Sequence, residues 1–335
     1  MIITRTPFRV SLFGGGTDYP AWYREHGGAV IGTTINHYCY ISLRRLPPFF
    51  EHKHRVVYSK VENVKQIGDI GHPAVRAVLS ELHRSGEGLE IHHDGDLPAR
   101  SGLGSSSSFT VGLINALAAL QGRMASARHL ADEAIRIEQQ VIGEAVGSQD
   151  QVWAAYGGTN LIRFNPDDSF DVTPLIMRAD RRAALQASLM MVFTGLSRNA
   201  PTIAAAKIAN IGTRKAELGD MRAMVNAAAA ILADPKRDLV ELGRMLHESW
   251  QIKRRLAATV STPEVDAIYD AARDAGAVGG KLLGAGGGGF LVFFVEPEKR
   301  AAVRARLASL IEVAIEIGSA GSKVVVYEPN GLANS

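Results

Sequence analysis

Three glycine-rich runs, and a few acidic residues between them, hold the side chains and amides in this sequence that could do chemistry. The middle run places Gly102, Leu103 and Gly104 ahead of four serines, Ser105 to Ser108, and then an apolar segment ending at Leu120. Glycine lacks a Cβ, so such a turn can bring backbone N–H groups close to a ligand. The serine hydroxyls can cap the following helix, whose first-turn amides carry the positive end of its dipole. Together these features describe a cradle for an anion, with phosphate the natural candidate. A second run contains Arg9 and then Gly14, Gly15, Gly16, Thr17 and Asp18; a third joins Lys281 to Gly284, Gly286, Gly287 and Gly289.

Several familiar phosphate machines are excluded by context. Gly284-x-Gly286-x-x-Gly289 spells a dinucleotide fingerprint, but it leads into the strand-like Phe290 to Val295 rather than a helix. No Gly-Lys-Ser or Gly-Lys-Thr occurs, which removes the P-loop, and the His-Arg-Asp and Asp-Phe-Gly signatures of protein kinases are missing.

The elements that must position these runs follow from periodicity. Residues 2–13 read as a strand, 29–35 and 38–43 as two more joined at Asn36-His37, and 44–55 as a charged surface loop. Phe109, Leu113, Leu117 and Leu120 form one apolar helical stripe, and Leu130, Ala134, Ile137 and Val141 another, with Glu138 beside it. Asp150 falls at a helix start after Gly147. Three helical blocks are expected near 200–232, 238–258 and 263–275, the last with Thr262 as N-cap, Pro263 at its first position and Gly276 after its end. Strand 290–295, a helix over about 297–312 and strand 323–327 then close the second half. Without a regular strand–helix alternation, the reading is a two-domain α+β fold divided as 1–180 and 181–335.

Composition narrows the class of protein. The 335 residues are 46% hydrophobic and 21% charged, with a net charge of +3. That is ordinary globular material, and the scattered basic residues give no footprint for nucleic acid. A single cysteine, Cys39, excludes an internal disulfide. No signal-type leader is apparent, and no run approaches the roughly 18 apolar residues of a membrane span, so a soluble cytoplasmic protein is expected. A homodimer is compatible with the sequence but not indicated by it.

Taken in order, Pro7 to Tyr19, Pro98 to Ser107 and Lys281 to Gly289 resemble the three motifs of the GHMP small-molecule kinases. Within that superfamily, Phe13 to Pro20 and Gly147 to Gly158 look most like the D-glycero-D-manno-heptose 7-phosphate kinases, with L-fucokinases more distant. Gly15 and Gly16 stand where galactokinases carry Glu-His, which argues against galactose. The resemblance implies an N-terminal domain like domain 2 of ribosomal protein S5, a ferredoxin-like C-terminal domain, and ATP and Mg²⁺ as cofactors. It assigns Gly102, Leu103, Gly104, Ser105, Ser106, Ser107, Gly284, Gly286 and Gly287 to ATP, and Ser106 and Glu138 to the metal. Asp150 would be the general base and Arg9 its cationic neighbour.

On the acceptor side the resemblance implies Gly15, Gly16, Thr17 and Asp18, with Arg198 ranked above Arg44, Arg45, Lys53 and Arg55 as the grip on a sugar phosphate. The implied reaction phosphorylates the C1 hydroxyl of D-glycero-α-D-manno-heptose 7-phosphate for surface-polysaccharide synthesis. Another GHMP sugar kinase of the fucokinase kind, and a non-catalytic sugar- or nucleotide-sensing relative, stay open as alternatives.

Overall fold

A computed structural model of the chain describes residues 1–99, 101–196 and 200–330. The first half runs β1 (Ile2–Phe13), α1 (Pro20–His26), β2 (Gly28–Arg45), β3 (His54–Val57), β4 (Val61–Val64), α2 (Pro73–Leu82), β5 (Leu89–Gly95), α3 (Ser105–Leu120), α4 (Ala127–Arg136), α5 (Gln149–Tyr156), β6 (Thr159–Phe164) and β7 (Phe170–Pro174). The second runs α6 (Ala179–Ser188), β8 (Leu189–Phe193), α7 (Ala200–Ala209), α8 (Lys215–Ala233), α9 (Val240–Arg255), α10 (Pro263–Asp274), β9 (Gly279–Leu282), β10 (Phe290–Phe294), α11 (Arg300–Arg306), β11 (Ile311–Val313) and β12 (Lys323–Tyr327).

The strands form two sheets, as a two-domain α+β fold requires. The larger has the order β12-β1-β2-β5-β3-β4, with β6 also pairing β2 and β7 pairing β6; the smaller is β11-β8-β10-β9. All pairs are antiparallel except β3 with β5. No helix among the described residues is long and apolar enough to cross a membrane.

Four expectations are corrected. The two strands expected over 29–43 are one continuous β2, because Asn36 and His37 stay extended and only a register shift against Pro7–Arg9 marks their place. The helix expected over 297–312 ends at Arg306, and the chain turns into β11. Strand 323–327 does not close the second domain; it returns to the first sheet and pairs with β1, so a division at 180/181 separates this strand from its own sheet. Finally, α3 carries no mere stripe: every residue from Ser107 to Leu120 is buried, because β1 and β2 cover one side and α2, α4 and α5 the others. The punctuation of α10 is as expected, with the Thr262 hydroxyl accepting from Val265 N–H and Gly276 at φ +112°.

The two halves meet backbone to backbone beneath the head of α3. Gly102 (φ +86°) and Gly284 (φ +67°) pack so closely that a Cβ on Gly284 would lie 2.4 Å from the Gly102 Cα. Lys281 on β9 also reaches across to donate to the Leu12 carbonyl of β1 at 2.8 Å. Replacing Gly284 by Ala forces a left-handed L-residue into this contact, so stability should fall by about 1–3 kcal/mol. Thermal melts check this, and an unchanged midpoint would mean that the two loops are not in contact.

Candidate active site

Arg9 lies near the middle of β1, and its guanidinium is almost fully buried. Its Nε and one terminal nitrogen donate to the two carboxylate oxygens of Asp150, each at 2.8 Å, and the other terminal nitrogen donates to Gly102 O at 2.6 Å. Such a bidentate fork fixes the carboxylate in direction as well as distance. Asp150 sits in the first turn of α5 with its side chain 27% exposed, so it is held from behind and open in front. Gly104 lies against the pair: a Cβ there would be in ordinary contact with Arg9 Cγ and Asp150 Cγ, each at 3.4 Å, and the left-handed φ of +76° is what favours glycine.

The N-cap of α3 is Gly104, with no side-chain cap, so the expected capping by Ser105 to Ser108 is replaced by other uses of the hydroxyls. Ser108 donates to Pro7 O at 2.8 Å and Ser107 to the Glu138 carboxylate at 2.8 Å. Ser106 is exposed on the first turn, where its amide and that of Ser107 have no intrahelical acceptor. Those amides face the same head of α3 that Gly102, Leu103 and Gly104 lead into. Across the contact, Gly284 O accepts from Lys253 at 2.7 Å. Gly286 packs on Val260, and the Gly287 N–H donates to Val260 O at 2.9 Å, so this amide is engaged within the fold.

Glu138 occupies a π-helical turn at Ile137–Val141, which continues α4 and interrupts the regular helix expected there. Its side chain is buried, and burial pushes its pKa up to about 7 despite hydrogen bonds from Thr110, Ser107 and Gln151. One carboxylate oxygen accepts from Ser107 and Gln151, while the other, Oε1, is buried with no partner among the described residues, as is Gln151 Oε1. The structure thus joins Ser107, rather than Ser106, to Glu138 by a direct hydrogen bond.

On the opposite side, Asp18 is buried, with Oδ1 accepting from Gly16 N–H and Oδ2 from Gln149 Nε2, both at 2.8 Å. Burial raises its pKa, and the Asp150 charge raises it further. Gly147 is required here, since a Cβ would fall 1.9 Å from Asp18 Oδ2. Gly15 packs beside Ser11 and Gln149, where a Cβ would be in ordinary contact at 3.6 and 3.7 Å, while Gly16 adopts φ +110° against Leu218. Thr17 is a correction: its hydroxyl is fully buried and hydrogen-bonded to Gly14 O at 2.8 Å and Ala29 O at 2.9 Å, so it holds the turn rather than facing a ligand. Arg198 lies outside the described residues. Arg44 and Arg55 pair with Glu90, and Arg45 with Glu87, so these are engaged away from Asp150.

Two residues of the site escaped the sequence reading. Lys253 on α9 and Lys207 on α7 are both buried, and their charges interact with Arg9 and Asp18. Their signal was faint: Lys207 is a single cation inside the apolar run Ile203 to Ala209. With Arg9 and Lys281 they set four basic groups around the two carboxylates, Asp18 and Asp150. Burial lowers the lysine pKa values, that of Lys281 to about 7 and that of Lys207 to about 8. An excess of desolvated cations around an amide-lined turn is an environment that gains from a polyanion.

Comparison with known proteins agrees with this geometry. Residues 70–158 match the GHMP kinases N terminal domain and residues 227–313 the GHMP kinases C terminal domain. A D-glycero-alpha-D-manno-heptose 7-phosphate kinase of Campylobacter jejuni is 32% identical over 89% of this chain and 91% of its own. A bifunctional fucokinase/GDP-fucose pyrophosphorylase of Arabidopsis thaliana is 24% identical over 93% of this chain, which spans only 31% of that longer protein. A solved structure of a D-glycero-D-manno-heptose 1-phosphate kinase from Bacteriodes thetaiotaomicron superposes with a TM-score of 0.80, at 22% identity, over 98% of this chain and 100% of its own. The chain belongs to the GHMP kinases. Within them it is a sugar kinase, which moves a phosphate from ATP to an alcohol.

The buried Glu138 has a stability signature. A carboxyl whose pKa is raised on folding, here from 4.5 to about 7, contributes most below pH 4.5. Its contribution falls as the pH rises toward 7, because the unfolded chain then binds fewer protons than the native one. Glu138→Gln removes that loss. Its melting midpoint should exceed that of the parent at pH 8, and the gap should close toward pH 4.5; a gap independent of pH would contradict the assignment.

Proposed function

We propose that this chain phosphorylates the anomeric C1 hydroxyl of D-glycero-α-D-manno-heptose 7-phosphate, using ATP and Mg²⁺, to give the 1,7-bisphosphate for GDP-heptose and surface-polysaccharide synthesis. The observation that carries the catalytic part is the Arg9–Asp150 pair, open on one side only, at the junction of the two glycine loops. The 32% identity to a heptose 7-phosphate kinase supports the choice of acceptor. Gly15 and Gly16 support it too, because they stand where galactokinases carry Glu-His and so lack the side chains that help hold galactose.

In this reading the triphosphate lies against the amides of Gly102 to Ser107, with the dipole of α3 behind it. The acceptor lies between Asp18 and Asp150. As the C1 oxygen forms its bond to the γ-phosphorus, the bond from that phosphorus to the bridging oxygen breaks and ADP leaves. The proton on the C1 oxygen passes to Asp150. A carboxylate is a weak base for an ordinary alcohol, but the ring oxygen makes an anomeric hydroxyl more acidic. Arg9 holds Asp150 in line and offsets charge on the transferring oxygens.

Glu138 Oε1 and Gln151 Oε1, buried and unpartnered, form with the neighbouring serines an all-oxygen set that suits a hard cation. Glu138 and Ser106 would hold Mg²⁺, with Ser107 keeping the carboxylate oriented through its hydrogen bond. The ion would supply charge neutralisation at the nucleotide's oxygens.

Purified protein should transfer phosphate to heptose 7-phosphate in preference to mannose, fucose or galactose, with ³¹P NMR placing the new ester at C1. Preference for a neutral sugar would overturn the acceptor assignment. Asp150→Asn should lower turnover by about 10²- to 10⁴-fold while calorimetry still shows ATP binding, and full turnover would remove Asp150 as base. Mg²⁺ should raise the melting midpoint of the parent protein at pH 8 but not that of Glu138→Gln; an equal rise in both would place the ion elsewhere.

A further inference from the structure

Lys207 is the one basic group at this site whose ammonium finds no hydrogen-bond acceptor among the described residues. Arg9 is engaged by Asp150 and Gly102 O, Lys253 by Leu282 O and Gly284 O, and Lys281 by Leu12 O. Lys207 is only 8% exposed, and what lies under its Nζ is the face of Tyr19, with 5.6 Å to the ring centroid. Around it a small cavity is lined by Gly16, Tyr19, Ile211, Arg214, Leu218 and Leu256. A buried ammonium with three donors and no acceptor costs stability unless a ligand supplies the oxygens. The cavity is lined by Gly16 and Tyr19, which flank Asp18 in the chain, so Lys207 stands beside the turn that carries Asp18.

We infer that Lys207 is an acceptor-specificity residue, whose ammonium receives the phosphate that the sugar already carries. This rests on the proposed use of a phosphorylated sugar and deepens it. Tyr19 supplies the floor, because an aromatic face tolerates an ammonium without competing for its donors. Gly16 lines the same cavity, against Leu218 and Leu256. Arg214, on the rim of the same cavity, pairs with Glu217 at 3.0 Å and is half exposed. It is therefore a secondary cation. The arrangement also accounts for a charged residue within an otherwise apolar α7: its loss would make the helix more comfortable and the enzyme less selective.

The test compares Lys207→Met with the parent protein on heptose 7-phosphate and on the same heptose without its phosphate. Met keeps the length of the side chain and suits a buried site. The variant should therefore melt no lower than the parent, and its KM for ATP should be unchanged. KM for the sugar phosphate should rise about tenfold or more while KM for the unphosphorylated sugar stays the same, and Lys207→Arg should recover part of the loss. A parent that itself shows no preference for the phosphorylated sugar would overturn both the acceptor assignment and this one. A parent that shows the preference, with a Lys207→Met variant that keeps it, would overturn the role of Lys207 alone. An equal fall in kcat on both sugars would instead move Lys207 to the transferring phosphoryl group and equally overturn the inference.

Discussion

One half-buried ion pair organises this molecule. Arg9 comes from the first strand and Asp150 from a helix 141 residues later, and their two-pronged contact is completed by a third bond to the Gly102 carbonyl. Removing Asp150 would leave the nearly buried Arg9 guanidinium uncompensated, a costly state. The pair therefore constrains β1, α5 and the phosphate cradle to a single arrangement. Gly104 lies against it at the head of α3, where the left-handed φ of +76° is what favours glycine.

Around that fixed point the site holds a set of groups that are less comfortable than they would be elsewhere. Glu138 keeps one carboxylate oxygen without a partner, Asp18 is buried within reach of a second acid, and three lysines are buried with lowered pKa values. Each of these costs stability in the free protein, and in the proposed reaction each would be relieved by one component: a cation at Glu138, phosphate oxygens at the lysines, sugar hydroxyls at Asp18. Preorganisation of this kind has its largest effect where charge moves during phosphoryl transfer. The rest of the core, with α3 enclosed on all sides, supplies the rigidity that keeps such groups from collapsing onto one another.

Much of this could be read from the residues because glycine and charge leave clear local marks. The cradle, Arg9 and Asp150 all lie within the quoted motifs, and the class of fold and the kinase family are as the motifs implied. What could not be read depended on distant partners. Asn36 and His37 look like a turn, yet Ala314 and Glu316, nearly three hundred residues away, hydrogen-bond them and keep β2 extended. Strand β12 pairs with a strand more than three hundred residues away, which no local pattern records. Ser106 and Ser107 are indistinguishable in sequence, and only the π-helical turn decides which hydroxyl meets Glu138. Lys207 gave no more than a charge in an apolar run, since its meaning lies in Tyr19 and Asp18, far off in the chain.

The central claim is that the Arg9–Asp150 pair marks the place where the phosphoryl group changes hands. The most direct measurement is a crystal structure with a non-hydrolysable ATP analogue and a sugar phosphate bound together. The account predicts the triphosphate along Gly102 to Ser107, and the acceptor oxygen within hydrogen-bond reach of Asp150 and in line with the terminal phosphorus. A nucleotide bound away from the head of α3, or an acceptor oxygen on the far side of Arg9 from Asp150, would contradict it.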